Sequence, residues 1–280
     1  MKPMKPAPPK TSWMRFTMCQ PLVLAVALWA GAALAHDTWV MPNRFVLPAG
    51  EHVAAVVSSG DGLKPIVAPT RRALRTLQLV DVAGRSDAKH WQRLDRQAQA
   101  EFEAPAPGLA CLVLGMDETE ISLDADTVAL YLQEIQAPGH IVQAWKQQRA
   151  NGRPWVERYA KDGKTYLRSG QSQAGWPALQ RLGHRLEIVP QTDPTRLMVG
   201  DSLGLLLQMD GQAQPGIALR VSAGDASLQV VRTDSQGRAQ VRVTTGGQHL
   251  IATTVLKPPA SATAAWTSRF ATLGFAVAAR

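Results

Sequence analysis

The sequence predicts a mainly β protein with two immunoglobulin-like β-sandwich domains and one short helical insertion. After residue 35, short apolar runs with period-two or continuous character alternate with turns that contain Gly, Pro or Asp, which is typical of β-sandwiches. One segment in the middle of the chain has helical spacing instead. A proline-punctuated stretch near Pro190 separates the two sets of strands and indicates a domain boundary.

The first 35 residues have the parts of an export signal. An unbroken apolar run from residue 21 to residue 34 ends in the small-x-small pattern Ala33-Leu34-Ala35, which signal peptidase reads. The run follows a positive segment formed by Lys2, Lys5, Lys10 and Arg15. We therefore expect residues 1–35 to be a cleaved signal peptide and the mature protein to be periplasmic, without a stable membrane span. An uncleaved anchor is the alternative, because the run approaches the roughly 20 residues that span a bilayer.

The charge of the mature chain is moderate. Residues 1–35 contain four basic and no acidic residues, so cleavage lowers the formal net charge from +8 to +4 and the length from 280 to 245 residues. The remaining basic residues are interleaved with acidic ones and form no dense stripe, so we predict no nucleic-acid partner. Cys111 is the one cysteine left; it lies in an apolar run and is predicted to be a buried core residue.

The N-terminal domain, predicted to cover residues 36–189, contains strands and one helix. Its apolar runs predict strands at 52–58, 74–82 and 110–114. Between residues 127 and 136 the apolar side chains recur at helical spacing, and Asp126 or Thr127 is the predicted cap. The segment 143–164 is polar and basic, with tryptophans at intervals, and we interpret it as a helix or an irregular segment on the sandwich surface.

The C-terminal domain, predicted to cover residues 190–280, begins after a strand at 186–190. Six short strands in about ninety residues are typical of an immunoglobulin-like or transthyretin-like sandwich. Their predicted positions are 202–208, 217–222, 228–233, 239–244, 248–255 and 270–277.

Several segments together resemble a family of exported bacterial proteins of undefined biochemistry, known as NikM-type periplasmic components of nickel or cobalt uptake. The segments are 36–42, 157–161, Leu186–Pro190 with Asp193-Pro194, Asp210-Gly211 with Pro215, the turn 233–238 and the stretch 266–275. The C-terminal unit also resembles the carboxypeptidase-regulatory, or prealbumin-like, sandwiches. The resemblance implies handling of nickel or cobalt and an envelope transporter as partner.

His36 is the strongest candidate metal ligand. Once it is the N-terminal residue, its α-amine and its imidazole Nδ1 can chelate one metal ion, and such nitrogen-rich sites suit Cu(II) or Ni(II). We predict His52 as the companion ligand, because its strand could pair with the first strand. Other candidates are Asp37, Asp61, His140, His184 and His249. The alternative is that His36 is a structural residue at the start of the first strand.

The leading functional prediction is a periplasmic protein that binds or delivers nickel, cobalt or copper for envelope transport and does not catalyse a reaction. One alternative is a module that binds a non-metal ligand or a protein, which solvent-facing Trp91, Trp145 or Trp176 would favour. A second alternative is a histidine-brace copper oxidase, which needs a flat aromatic face around His36. The acidic segment 117–126 matches no EF-hand spacing and is predicted to be a solvated loop.

Overall fold

The structure is a computed structural model, and it describes residues 36–224 and 229–278. The predicted signal peptide, residues 1–35, lies outside the described residues. Within the described part of the chain, no helix is both long and apolar enough to cross a membrane.

The described residues form nineteen strands and two α-helices. The strands before the helices are β1 (Asp37–Pro42), β2 (Val46–Leu47), β3 (Val53–Asp61), β4 (Lys64–Val67), β5 (Leu74–Asp81), β6 (Gly84–Asp87), β7 (His90–Arg93), β8 (Ala98–Phe102), β9 (Gly108–Met116) and β10 (Thr119–Leu123). The helices α1 (Ala125–Glu134) and α2 (Gly139–Ala150) follow. The remaining strands are β11 (Trp155–Ser169), β12 (Leu186–Pro190), β13 (Ser202–Met209), β14 (Gln212–Ala213), β15 (Ala218–Ala223), β16 (Gln229–Arg232), β17 (Arg238–Arg242), β18 (Gly247–Lys257) and β19 (Trp266–Val277).

The strands form three sheets. The first has the order β1-β3-β8-β7, with β4 beside β3. The central sheet has the order β16-β15-β18-β19-β11-β9-β5-β6, and β10 and β2 also pair with β11. The third has the order β12-β13-β14, with β17 beside β13. The predicted class, mainly β with immunoglobulin-like sandwiches, is confirmed.

Strand β9 shows how the layers are stacked, because its side chains alternate between two cores. Ala110, Leu112 and Leu114 pack with the first sheet, whereas Cys111 and its neighbours at 109 and 113 pack with the third sheet. This alternation follows from the period of two along a strand. The central sheet is therefore covered on both faces at this point, and Cys111 is fully buried as predicted.

The helical insertion lies against one part of the central sheet. The apolar core between the two helices and the sheet includes Trp155 and Trp266, whose rings stack with centroids 4.3 Å apart. Helix α1 matches the helix predicted over 127–136, but its cap is Asp124, whose carboxylate accepts a hydrogen bond from the Thr127 backbone N–H. The insertion contains two helices, not one.

The interpretation of segment 143–164 is wrong in its second half. Residues up to 150 belong to α2, but β11 is a long strand near the middle of the central sheet. The charged residues of this segment suggested that it lies on the surface. In the structure Glu157, Lys161, Asp162 and Lys164 are all buried, and the contacts described below compensate their charges.

Strand pairing crosses the predicted boundary at residue 190. Strand β12, assigned by the sequence to the end of the N-terminal domain, pairs with β13 in the third sheet. Strand β19, near the C-terminus, pairs in parallel with β11 over nine residue pairs. Residues 36–189 and 190–278 therefore contribute strands to the same central sheet.

Candidate functional site

The first strand, β1, begins one residue after His36, and its outer edge is fixed by side chains. Strand β1 is an edge strand, so its outward carbonyls have no neighbouring strand. Three alternate carbonyls instead accept hydrogen bonds from side chains of β11 and β19. The pairs are Lys161 Nζ to His36 O (2.6 Å), Thr272 Oγ1 to Thr38 O (2.8 Å) and Thr165 Oγ1 to Val40 O (2.5 Å).

Two glycines make room for the threonine side chains that hold β1. In the register of β11 and β19, Gly163 pairs with Thr272 and Thr165 pairs with Gly274. A Cβ atom on Gly163 would lie 2.6 Å from Thr272 Oγ1, and one on Gly274 would overlap Thr165 Oγ1. Each hydroxyl therefore projects over a glycine of the adjacent strand and reaches the carbonyls of β1.

A buried ion pair joins the start of β1 to β15. Arg220 Nη2 lies 2.7 Å from Asp37 Oδ1, and both side chains are less than 8% exposed. Within the described residues, the second terminal nitrogen of Arg220 has no hydrogen-bond partner. Because an ion taken out of water must be compensated by its partner, this pair fixes the position of β1 relative to β15.

Lys161 is a buried amine next to His36. Its side chain is 3% exposed, and its Nζ lies 4.9 Å from the centre of the Phe270 ring. Burial lowers the pKa of Lys161 to about 8, while the charges of Asp37, Glu134 and Glu157 act in the opposite direction. The amine therefore titrates close to neutral pH.

Glu157 is a buried carboxyl group on the same strand, four residues before Lys161. It accepts hydrogen bonds from Tyr131 Oη (3.0 Å), Trp155 Nε1 (2.8 Å) and the hydroxyl of Ser268. Burial raises the pKa of Glu157, whereas these donors and Lys161 favour its charged form. Three hydrogen-bond donors thus stabilise the carboxylate.

His36 lies just before β1, where its carbonyl oxygen accepts the hydrogen bond from Lys161. Its Nδ1 is buried and has no hydrogen-bond partner among the described residues. Burial and the nearby charge of Lys161 lower the pKa of His36, while Asp61 and Asp37 raise it. Asp37 pairs with Gly60 in the β1–β3 ladder, so His36 comes next to Asp61 when the register is extended by one residue. The lowered pKa favours the neutral imidazole, whose unprotonated ring nitrogen can bind a ligand.

His52 lies at the opposite end of β3, so the expectation that it would be within reach of His36 is wrong. Nine residues of β3 separate His52 from the His36 end, which corresponds to about 30 Å of strand. The His52 side chain is 70% exposed and its Nδ1 lies 3.3 Å from Glu103 Oε2. In an antiparallel pair joined by a turn near residue 50, the residue just after the turn lies opposite the end of the first strand, so His52 is at the end away from His36.

The other predicted ligands are also separated from His36 or already engaged. His249 is buried, stacks on Phe275 and contacts the Gly247 carbonyl oxygen through Nδ1 (3.1 Å). His140 is exposed at the start of α2, and His184 lines a different cleft. In residues 36–224 and 229–278, no group of three or more His, Cys, Asp or Glu side chains could hold a metal ion.

Among the described residues, the tryptophans form no aromatic surface of the kind that the alternatives require. Trp145 is 7% exposed, and Trp39, the tryptophan nearest to His36 in the described sequence, is 4% exposed. Trp91 and Trp176 are partly buried against the two large cores.

Sequence reasoning did not single out Lys161, Glu157 or Arg220. The sequence pointed to this region in one way: segment 157–161 is among the segments that resemble the family of exported proteins. Charged residues on a strand cannot be recognised as buried until the strands that cover them are known.

The comparisons with known proteins identify a family and report distant structural likenesses. The model of the family described as "Domain of unknown function (DUF4198)" matches residues 33–257. No curated protein matches the chain.

Among solved structures, the D0-D1 domain of intimin is 10% identical over 84% of this chain and 96% of that chain, with a TM-score of 0.19. A DUF4785 family protein from Legionella pneumophila is 8% identical over 76% of this chain and 51% of that chain, with a TM-score of 0.26. Salmonella alpha-2-macroglobulin is 9% identical over 86% of this chain and 15% of that chain, with a TM-score of 0.24. At such TM-scores these likenesses carry no argument about function.

Proposed function

We propose that this chain, which belongs to the DUF4198 family, is exported to the periplasm and binds one transition-metal ion through His36. The ion is nickel, cobalt or copper, and the protein buffers it or delivers it to an envelope transporter. The observation that carries the proposal is the buried Nδ1 of His36, which has no partner among the described residues. A buried polar atom without a partner is rare in proteins, and a ligand is one way to satisfy it.

The donor set fits a late first-row metal ion. Cleavage after Ala35 would give His36 a free α-amine, so one residue would supply two nitrogen ligands, as Cu(II) and Ni(II) favour. Asp61 is the side chain placed to supply an oxygen ligand, because it is exposed and follows the residue paired with Asp37. Asp37 is less suited, since its carboxylate is held by Arg220.

The small number of protein ligands supports a role in delivery. The α-amine, the imidazole and one carboxylate leave further positions open to water or to a receiving protein. Lys161 adds a positive charge beside His36 while it is protonated, and its pKa of about 8 means that this repulsion weakens as the pH rises. Protons also compete for the α-amine, whose ordinary pKa is near 8. Affinity should therefore increase between pH 6 and pH 9.

The test is a competition titration of Ni²⁺ and Cu²⁺ with the mature protein that begins at His36. We expect one metal ion per chain, complete loss of the tight site in His36→Ala and about tenfold weaker binding in Asp61→Asn. His52→Ala is the matched control, because it removes a histidine from the far end of β3 and should leave the affinity unchanged. A form that retains several residues before His36 tests the α-amine, and it should bind much more weakly. If His36→Ala binds as tightly as the wild type, the proposal is wrong.

A further inference from the structure

A cleft of about 540 Å³ lies on the central sheet, apart from the His36 site. Its floor is formed by β5, β9 and β11, and its wall is the segment 182–185 before β12. Four arginines line it, namely Arg75, Arg85, Arg185 and Arg269, together with the carboxylates of Glu118 and Asp162. Three of these arginines already have a carboxylate partner, in the pairs Arg75–Asp162, Arg269–Glu118 and Arg185–Asp210. The cleft volume is within the range of small-molecule sites.

Gly115 allows one arginine to lie across the floor. Arg75 is on β5 and Asp162 is on β11, with β9 between them. Arg75 Nη2 reaches Asp162 Oδ1 at 2.8 Å, and its Nη1 donates to the Met116 carbonyl oxygen at 2.7 Å. A Cβ atom on Gly115 would lie 2.7 Å from the same Nη2 and 3.2 Å from the Asp162 oxygen. The missing side chain at position 115 thus leaves the path for this guanidinium group, which is held in place before any ligand arrives.

A buried ion pair fixes the wall of the cleft. Lys164 Nζ lies 2.7 Å from Glu187 Oε1, with both side chains less than 8% exposed. The Glu187 carboxylate also accepts hydrogen bonds from the backbone N–H groups of Leu182 (2.7 Å) and Gly183 (3.2 Å). The segment that presents His184 and Arg185 is therefore attached to a rigid, buried anchor.

Two groups at the cleft have unused hydrogen-bonding capacity. Arg85 donates to the Leu182 carbonyl oxygen at 3.3 Å, and in the described part of the chain no carboxylate lies within ion-pair distance of it. His184 has no hydrogen-bond partner among the described side chains or backbone groups, and burial lowers its pKa, which favours the neutral ring. A guanidinium fork without a carboxylate partner is suited to bind a planar or tetrahedral oxyanion in a bidentate manner.

We propose that this cleft binds a small organic or inorganic anion through its carboxylate or phosphate oxygens, with Arg85 as the main contact. Arg75 on β5 and Arg269 on β19 line the cleft beside it, each paired with a carboxylate, and His184 contributes a hydrogen-bonding group from the wall. This site is distinct from the metal site at His36, and each can exist without the other.

Isothermal titration calorimetry in metal-free buffer at low ionic strength tests the proposal, with citrate and inorganic phosphate as the probes. We expect at least one of the two to bind at one site per chain with a Kd below about 1 mM. Arg85→Gln should weaken binding ten- to hundredfold, the range for hydrogen bonds to charged groups. The preferred probe then distinguishes a carboxylate ligand from a phosphate ligand.

Arg44→Gln is the matched control, because Arg44 is also exposed, pairs with Glu51 and does not line the cleft. It changes the net charge by the same amount and should alter the affinity by less than twofold. Gly115→Ala offers a second variant, which should weaken binding by displacing Arg75. The same titration on His36→Ala should give the wild-type affinity, so failure of the metal site and failure of the cleft can be told apart. Equal weakening by Arg44→Gln and Arg85→Gln, or no binding of either probe, would overturn the proposal.

Discussion

Replacement of Lys161 by methionine should remove a specific part of the pH dependence of stability. Lys161 is buried against Phe270 beside His36, and its pKa falls from 10.5 in a solvated chain to about 8 in the folded protein. Between these two values the unfolded chain binds more protons than the folded one. The free energy of unfolding of the wild type must therefore rise with pH in this range.

The expected magnitude follows from the two pKa values. A difference of about 2.5 pH units at about 1.4 kcal/mol per unit corresponds to about 3 kcal/mol over the whole range. About 2 kcal/mol of this is gained between pH 7 and pH 9.5. The upper limit of pH 9.5 matters, because the buried tyrosines Tyr131 and Tyr166 have raised pKa values and reverse the trend at higher pH.

The assay is urea unfolding at pH 7.0, 8.0, 9.0 and 9.5, with the wild type and Lys161→Met measured in parallel. The difference in unfolding free energy between the two proteins should change by about 2 kcal/mol across the series. Lys146→Met removes an exposed lysine of α2 and is the control, which should follow the wild type. A pH-independent difference between wild type and Lys161→Met would refute the reasoning, because Lys161 would then titrate alike in both states.

Three further predictions concern the same layers. Arg220→Met leaves the buried Asp37 carboxylate without its partner and should lower the unfolding free energy by about 3–5 kcal/mol in denaturant titration; an Asp37→Asn second change should recover part of the loss. Thr272→Val removes the hydroxyl donor to the Thr38 carbonyl and should cost about 1 kcal/mol in the same measurement, so an unchanged midpoint would contradict the role given to this contact. Burial raises the pKa of the Cys111 thiol to about 12, and the native protein should therefore react with a thiol reagent at pH 8 no faster than it unfolds; rapid labelling of the native state would be the contrary result.

Local pattern was enough to predict most of the strands, because apolar alternation and turn residues are encoded within a few positions. Strand β12 coincides with the predicted segment 186–190, and β18 covers the predicted run 248–255. Helix α1 was found for the same reason, although its cap was displaced by two to three residues. These elements can be predicted without knowing which distant residues pack against them.

Long-range pairing could not be predicted, and it determines the candidate site. Lys161 and Glu157 look like surface residues until β19 and α1 cover them. The pairing of the strands of His36 and His52 is local by contrast, and the turn between them already implies that the two histidines lie at opposite ends. To predict the threonine hydroxyls that hold β1, one would have to know that Gly163 pairs with Thr272, which lies 109 positions later. No local pattern indicates this pairing.

The parallel contact of β11 with β19 also determines when the protein can finish folding. Glu157 pairs with Ile121 of β10 on one side, but its neighbour on the other side, Trp266, comes 109 positions later. Contacts between such distant positions form slowly. A chain that stops before residue 266 would leave one long edge of β11 bare and β1 without Thr272, and bare strand edges promote aggregation. Neither half of the sequence can therefore reach its final structure alone, and resistance to proteases should arise only once the last strand has been added.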